Sequence, residues 1–537
     1  MLLLVNLFLR FYNLDKKPFW EDEANYALVS NYIFNDFFSN NYNPVYDTNL
    51  VIYPQSFFYL NALGQFMLGN NEFGNRFFTA LFGSLTFIPI FLIGKKFFNE
   101  KVGILAAFLT TFSPEHIAFS RENLPFIVPM FFFLAAFYFL LSYFQSSKEK
   151  QKKFFFLSLI FILVSFSFHF LLSAFFIILI PIIAKLYKKK FSSQIYALIV
   201  FSILLFSLYC FRYVKYWSHD FKELNDFFTW YSDTLSLTKN LTKILYLIYE
   251  NYLDAKYLFI PLILTSLIFF SIKKIKKYKN SLLIISILFF LTFFLTAIIS
   301  NPLESLHSFP FRLHIFFSYI IYLVLGFSLF LLSNTHKKIF LAIFILLLIL
   351  FSFHIIPLLE KKIISINENF SSINLFETKS IVCSEKYYSP LNLYKFINAF
   401  LFCFSHHPIY YDDALDWKEP VMVVENATEK NTQLIIFSSH LPITSYYFQQ
   451  SKINNNVIVY KDLHCNYFLP FCSKEKLINI SSELFVIERA RSRGANIKIF
   501  FLIDKARYEW QLTEKDKELL ISKCSKYEND FIIYNCY

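Results

Sequence analysis

The chain has 537 residues, of which 56% are hydrophobic and only 17% are charged, and its mean hydropathy is +0.45. A soluble protein of this length cannot bury so much apolar surface in its own core, so the composition excludes an ordinary soluble protein. The formal net charge of +12 does not indicate nucleic-acid binding, because the basic residues stand in short runs between apolar segments.

Apolar runs predict membrane-spanning helices as far as Leu359, at about 20 residues for each crossing. The predicted spans are Leu2–Leu9, Phe77–Gly94, Val102–Phe119, Leu124–Phe144, Phe154–Ala184, Ile195–Phe211, Tyr257–Ile272, Ser281–Ser300, Phe309–Ser333 and Ile339–Leu358. The first run is too short to cross fully, unless residues upstream of Met1 complete it. The run from 154 to 184 is too long for one helix, so we interpret it as a hairpin of two helices. That interpretation gives about eleven spans.

Lysine runs predict the orientation of these spans, since cytoplasmic loops collect Lys and Arg. The lysine-rich loops all fall on one side only if the hairpin is real. They lie at 95–101, 148–153, 185–190, 273–279 and 337–338. The loop 11–75, the turn around Arg121 and everything after Leu359 then lie outside the cytoplasm. No cleavable signal peptide is separately visible.

The region 360–537 lacks long apolar runs and predicts a C-terminal soluble α/β domain behind a membrane domain at 1–359. Short apolar stretches predict its strands: Val421–Val424, Leu434–Phe437, Val457–Tyr460, Leu484–Ile487, Ile497–Ile503 and Phe531–Tyr534. Six of the seven cysteines lie there, and Cys465/Cys472 and Cys524/Cys536 are the nearest pairs for disulfides. Zinc is the rival interpretation, but no CxxC spacing supports it.

Three adjacent acidic residues, Glu21, Asp22 and Glu23, follow the first apolar run. Carboxylates at a membrane face usually mark a functional site. The structural alternative is that they only begin an amphipathic helix, where acidic side chains suit the positive end of the helix dipole.

Further motifs follow in order over the next hundred residues. They are Tyr53-Pro54-Gln55, the Gly69 to Arg76 segment, Gly94-Lys95-Lys96, Ser113-Pro114 and Ser120-Arg121-Glu122. Together with the acidic loop, this set resembles the GT-C class of polytopic glycosyltransferases that use lipid-phosphate sugars. That class includes the protein O-mannosyltransferases and the lipid A aminoarabinose transferases. The resemblance covers residues 8–144 well, the later spans by layout only, and the tail not at all.

The resemblance implies a helical GT-C-like fold and assigns roles to individual residues. Asp22 matches the catalytic base of the class, and Glu23 would orient that base, hold the acceptor or raise the pKa of Asp22 by repulsion. Arg121 is the first candidate for the lipid phosphate, because a guanidinium binds two phosphate oxygens. Its alternative is an interfacial arginine with a buried stem. Arg312 and His307 form a second, looser candidate for the phosphate.

Four further residues are expected to support the site or the acceptor: Glu122, Tyr53, Arg76 and His116. Two of them stand at departures from the class pattern. Tyr53 occupies a position where many members have His, and Glu122 is the acidic residue in a turn where some members carry Asp. Closing a helix terminus or pairing with Glu72 is the structural alternative for Arg76. No cofactor and no metal ligands are firmly implied, although a divalent metal is left open.

The expected function is transfer of a sugar from a polyprenyl-phosphate donor to a lipid, protein or cell-envelope glycan, with inversion. The enzyme would be an integral protein of a prokaryotic plasma (inner) membrane, with its site and C-terminal domain extracytoplasmic and with no nucleic-acid partner. The alternative is a polytopic lipid or glycan transporter or flippase, which predicts ionisable groups deep inside the spans. A third alternative, a membrane-anchored sensor or assembly factor, leaves the acidic loop without a role.

Overall fold

A computed structural model places two compact units, each drawn from two parts of the chain. Unit 1 contains residues 1–16 and 36–411, and unit 2 contains residues 17–35 and 412–537. The structure describes residues 2–19, 21–37, 56–168, 171–187, 192–217, 278, 281–285, 309–335, 337–342, 344–345, 418–429, 432–438, 441–453, 457–462, 484, 488–489, 492, 496–504, 514–528 and 531–536.

The described part of unit 1 is helical. Its helices are α1 (Leu2–Phe11), α3 (Ser56–Leu68), α4 (Glu72–Leu85), α5 (Phe87–Phe97), α6 (Glu100–Phe112), α7 (Pro114–Ser120), α8 (Ile127–Gln145), α9 (Lys148–Phe168), α10 (Leu171–Leu186), α11 (Ser193–Trp217) and α12 (Phe309–Thr335). Asparagine side chains start two of them, since Asn71 accepts from the Gly74 amide and Asn99 accepts from the Val102 amide.

Three stretches in the described residues are long and apolar enough to cross a membrane. They are Glu72–Phe97, Ile127–Gln145 and Lys148–Phe168, the first made of α4 and α5 together. The predicted run from 154 to 184 lies on two separate helices, α9 and α10. The predicted span Val102–Phe119 is divided by Pro114 into α6 and the short helix α7, because proline cannot continue the hydrogen bonds of the preceding helix. The predicted span Tyr257–Ile272 and most of Ser281–Ser300 and Ile339–Leu358 lie outside the described residues.

Small residues let three helices of unit 1 approach closely. A Cβ placed on Gly94 of α5 would lie 2.9 Å from the Cα of Gly103 in α6. A Cβ placed on Gly326 of α12 would lie 2.9 Å from the amide nitrogen of Ala106, also in α6. Helix α6 is therefore held between α5 and α12 at van der Waals contact of the backbones.

Unit 2 is built on a five-stranded sheet with helices on it. Its described elements are α2 (Glu21–Phe37, of which residues 21–35 belong to the unit), α13 (Lys418–Ala427), β1 (Gln433–Ser438), α14 (Leu441–Gln449), β2 (Val457–Asp462), β3 (Ile497–Asp504), α15 (Glu514–Lys523), β4 (Cys524–Glu528) and β5 (Phe531–Cys536). The strand order is β2-β1-β3-β5-β4, in which β1 pairs parallel with β2 and β3, and β5 pairs antiparallel with β3 and β4.

Four predicted strands coincide with observed ones, and one is wrong. Residues Val421 to Val424 lie in helix α13 instead of a strand. Pro420 stands in the first helical turn, where its missing amide costs nothing, and Val421 and Val424 are buried together at a spacing of three residues. Strand β4 was not predicted, since its sequence CSKYE is polar and its burial pattern is largely exposed. Of the predicted strand Leu484–Ile487, only Leu484 is described, and it is helical.

A disulfide joins Cys524 of β4 to Cys536 of β5, which face each other across the antiparallel pair. This confirms one of the two predicted cysteine pairs. The other, Cys465/Cys472, lies outside the described residues.

Candidate functional site

The acidic segment begins helix α2 in unit 2. Glu21, Asp22 and Glu23 are the first three residues of this helix. The carboxylate of Glu23 is fully buried, and so are Ala24 and Ala27 on the same helix. The segment therefore starts a helix, as the structural alternative predicts, and the functional role of its carboxylates stays a prediction.

A buried polar junction joins α1 to the α6–α7 region in unit 1. Nη2 of Arg10 lies 2.6 Å from Nδ1 of His116 and donates to the Thr110 carbonyl at 3.3 Å, while Nη1 donates to the Thr111 carbonyl at 3.4 Å. Nδ2 of Asn6, one turn earlier on α1, donates to Oγ1 of Thr111 at 2.7 Å. Arg10 and His116 are both completely buried. We refer to this group as the Arg10–His116 junction.

The junction has a defined polarity. A guanidinium can only donate hydrogen bonds, so Nδ1 of His116 is the acceptor and is unprotonated. The Thr110 and Thr111 carbonyls belong to the last turn of α6, where helix carbonyls lack partners and carry partial negative charge. The end of α6 therefore provides the compensation that buried Arg10 needs.

Helix α12 reaches the same junction through two tyrosines. The ring of Tyr319 meets the His116 ring edge to face, with 5.4 Å between the centroids. The hydroxyl of Tyr322 contacts Oγ of Ser113, the residue that caps α7 by accepting from the His116 amide at 3.2 Å. These contacts fix α12 against the start of α7.

Arg121, directly after α7, holds the end of α1. Its Nη1 donates to the carbonyls of Leu9 (3.3 Å), Arg10 (3.4 Å) and Tyr12 (2.7 Å), and its Nη2 donates to the carbonyl of Asn13 (3.2 Å). The guanidinium thus occupies the position of a C-terminal cap, where a cation also favours the helix dipole. Its role as a phosphate ligand stays a prediction, and its main-chain contacts are a third role that the sequence did not suggest.

Arg76 binds the main chain at Leu14, the residue that follows those bound by Arg121. It is completely buried on α4, and its Nη1 donates to the Leu14 carbonyl at 3.0 Å. Asn13, between the two anchored stretches, has a φ of 54°, a left-handed conformation that asparagine adopts more readily than most residues. The two arginines therefore set the path of the chain just before it enters unit 2.

The remaining predicted residues are placed as follows. Glu122 is buried beside Asn123, whose Oδ1 accepts from Nδ2 of Asn61 on α3 at 2.5 Å. Arg312 lies in the first turn of α12. Tyr53 and His307 lie outside the described residues. Within the described ranges, no three His, Cys, Asp or Glu side chains are grouped so that they could hold a metal ion.

Sequence reasoning named His116 as a supporting residue but missed Arg10 and Asn6. The signal for Arg10 was present, because it ends an apolar run with no acidic residue in the preceding nine positions. An arginine there reads as an interfacial residue until its partners, about 100 positions away, are known.

Comparisons with known proteins show a family match over part of the chain and a similar fold in solved structures. Residues 53–211 match the family model of dolichyl-phosphate-mannose-protein mannosyltransferases. Crystal structures of ArnT from Cupriavidus metallidurans are similar in fold, in the apo state (TM-score 0.59) and bound to undecaprenyl phosphate (TM-score 0.57). Each is 11% identical to this chain in sequence, and the match covers 99% of this chain and 97% of the ArnT chain.

A second solved structure shows a weaker likeness. The archaeal oligosaccharyltransferase AglB from Archaeoglobus fulgidus, in complex with an inhibitory peptide and a dolichol-phosphate, has a TM-score of 0.48 and 13% identity. The match covers 98% of this chain and 72% of the AglB chain. No curated protein matches at the level of sequence.

The family match and the ArnT-like fold confirm the predicted resemblance to the GT-C glycosyltransferases, and with it the enzyme class.

Proposed function

We propose that this chain, a glycosyltransferase of the GT-C type, transfers a sugar from a polyprenyl-phosphate donor to a hydroxyl or amine acceptor on the non-cytoplasmic side of the membrane. The observation that carries the proposal is the family match over residues 53–211, a region that includes most of the Arg10–His116 junction's partners. ArnT, whose fold is similar, has been crystallised with undecaprenyl phosphate.

The proposed chemistry assigns the base to Asp22. Its carboxylate takes the proton of the acceptor O–H or N–H as that atom forms a bond to the anomeric carbon. The bond between the anomeric carbon and the phosphate oxygen breaks, and polyprenyl phosphate leaves with the electron pair. Attack opposite the leaving group inverts the anomeric centre. Glu23, which is buried and adjacent to Asp22 in the chain, is proposed to orient Asp22 or to hold the acceptor.

The leaving phosphate requires positive charge, and α12 supports its placement. Arg312 stands in the first turn of this helix, where backbone amides and the helix dipole attract an anion and a guanidinium can bind two of its oxygens. His307, just before the helix in sequence, is proposed to assist. Arg121 is the weaker candidate, because its Nη atoms already donate to four main-chain carbonyls.

We also propose that the site and unit 2 are extracytoplasmic in a prokaryotic plasma membrane. The lysine-rich loops support this orientation of the spans. The disulfide between Cys524 and Cys536 supports it independently, since such bonds persist in oxidising compartments. The acceptor is a lipid, a protein or an envelope glycan.

The test is lipid-phosphate release from a panel of polyprenyl-phosphate sugars in membranes that contain the full chain. We expect Asp22→Asn to abolish release, Arg312→Ala to raise the KM for the donor, and Glu100→Gln to behave as wild type. Glu100 is the matched control because it is an acidic residue in the first turn of another helix and, among the described residues, is paired with surface Lys95. Full activity of Asp22→Asn would refute the assignment of the base.

The transporter alternative gives a different result in the same membranes. It predicts movement of a labelled lipid or glycan across the bilayer without cleavage of the sugar–phosphate bond. No turnover of any donor together with such movement would replace the transferase by a transporter.

A further inference from the structure

Helix α2 reaches the compact unit formed by residues 412–537 from almost the other end of the chain. It is the part of the chain that carries Glu21, Asp22 and Glu23. What holds this helix therefore decides where the acidic residues lie.

An apolar core shared with the sheet holds one face of α2. Ala24, Ala27 and Leu28 recur at the three- and four-residue spacing of a helix face, and Phe19 precedes them. These four belong to one buried cluster with residues of both sheet and helices, namely Val421, Val424, Leu434, Ile436, Tyr446, Tyr447, Phe448, Phe500, Leu502, Phe531 and Ile533. Phe19, Ala24 and Ala27 have no exposed surface at all.

Polar contacts to α14 bracket the acidic turn on both sides. Before it, the Phe19 amide donates to the Tyr447 hydroxyl at 2.9 Å, and the Phe19 ring lies 4.8 Å from that of Tyr446. After it, Nδ2 of Asn31 donates to Oε1 of Gln449 at 3.2 Å. These bonds fix both the rotation of α2 and its position along its own axis.

Helix α2 needs this support. An isolated helix of about this length is marginally stable in water, and most helical stability in proteins comes from packing of the apolar face. The side chains of α2 in the shared core are Ala24, Ala27 and Leu28, so this face of the helix depends on contact with the sheet and α14.

We propose that the C-terminal part of unit 2 is a holder for the acidic helix, and that Tyr447 and Gln449 are positioning residues for Asp22 and Glu23. This inference rests on the proposed function, because it gives the holder a catalytic purpose. Residues 412–537 are then required for turnover itself, independently of any part they have in recognising the acceptor.

The activity test compares Tyr447→Phe with Tyr527→Phe in the full-length protein. Tyr447→Phe removes only the hydroxyl that accepts from Phe19, whereas the Tyr527 hydroxyl donates to Glu419 at the exposed strand β4. We expect Tyr447→Phe to lower kcat about 2- to 10-fold with an unchanged KM for the donor, the range that one hydrogen bond allows. Tyr527→Phe should keep wild-type kcat. Equal kcat in both variants would overturn the proposal.

The packing test does not depend on activity. The double variant Asn31→Cys/Gln449→Cys should cross-link on oxidation or with a short bifunctional thiol reagent, as seen by peptide mapping, while each single variant should not. Cross-linking without any donor turnover in the wild type would leave the packing intact and refute the proposed function. Failure to cross-link in active protein would refute the holder itself.

Melting temperatures distinguish positioning from stability. Phe19→Ala removes a fully buried ring and should lower both the melting temperature and kcat. Tyr447→Phe should lower kcat at nearly the wild-type melting temperature. A loss of kcat that follows the melting temperature in both variants would show a structural role only and would overturn the assignment of Tyr447.

Discussion

Arg10 and His116 are 106 positions apart in sequence, yet their side chains meet at 2.6 Å in a completely buried contact. The contact joins the end of α1 to the middle of α7, and α6 supplies the two carbonyls that complete it. The position of α1 within unit 1 depends on this pair.

Replacing His116 should test the polarity of the junction. His116→Leu removes the acceptor and leaves a donor of Arg10 buried without a partner, which should cost about 2 kcal/mol of stability. His116→Asn carries an acceptor oxygen near the former Nδ1 and should recover a large part of that loss. Thermal unfolding in detergent, followed by size-exclusion chromatography, measures both. Equal stability of the two variants would contradict the assigned acceptor.

Replacing Arg121 distinguishes a role in capping helix α1 from a role in binding the lipid phosphate. Because its Nη atoms donate to four carbonyls around the end of α1, Arg121→Ala should lower stability by about 1 to 3 kcal/mol while the folded fraction keeps its KM for the donor. Arg312→Ala provides the comparison, with an expected rise in the KM for the donor. A large rise in the KM of folded Arg121→Ala would restore its predicted role at the phosphate.

Gly94 tests the close approach of α5 and α6. Gly94→Ala places a methyl group 2.9 Å from the Cα of Gly103, a distance that the backbones can relieve only by separating. We expect a loss of folded protein in membranes of the size seen for overpacked cores, about 1 to 3 kcal/mol. Ile104→Ala is the control, since this side chain is exposed on α6, the helix that Gly94 approaches. A neutral Gly94→Ala would show that the helices are not in contact there.

The disulfide between Cys524 and Cys536 should stabilise the sheet of unit 2. It closes a loop of 12 residues, for which the entropy of the unfolded chain predicts about 3 kcal/mol. Cys524→Ser should therefore lower the melting temperature, and reductant should bring the wild type to the same value. If the wild type melts identically with and without reductant while its thiols there react with maleimide, the bond does not form in the cell.

Sequence patterns predicted those structural features that depend on residues close together in the chain. The division of 154–184 into two helices followed from the length of the run, from His169 near its middle and from the lysine-rich loops on either side. The pairing of Cys524 with Cys536 followed from proximity in sequence. The run Val421–Val424 failed because a short apolar run fits a buried helix as well as a strand, and only the sheet around it decides between them.

Long-range partners account for what the sequence did not predict. The acidic segment was placed in a loop of the membrane domain, whereas the structure packs its helix with residues more than 380 positions later. The apolar residues Ala24, Ala27 and Leu28 predict that α2 has a partner, but they carry no information about which one. Arg10 was missed for the same reason, since its partners lie on α6 and α7.

The order of synthesis gives the discontinuity of unit 2 a further meaning. Helix α2 ends at Phe37, and the first strand of its sheet begins at Gln433, so the ribosome makes the helix roughly 400 residues before its support. At about 5 to 20 residues per second, that interval is roughly 20 to 80 seconds. During this time the helix that carries Asp22 has no sheet to pack on. The acidic helix therefore reaches its packed position only after the sheet has formed.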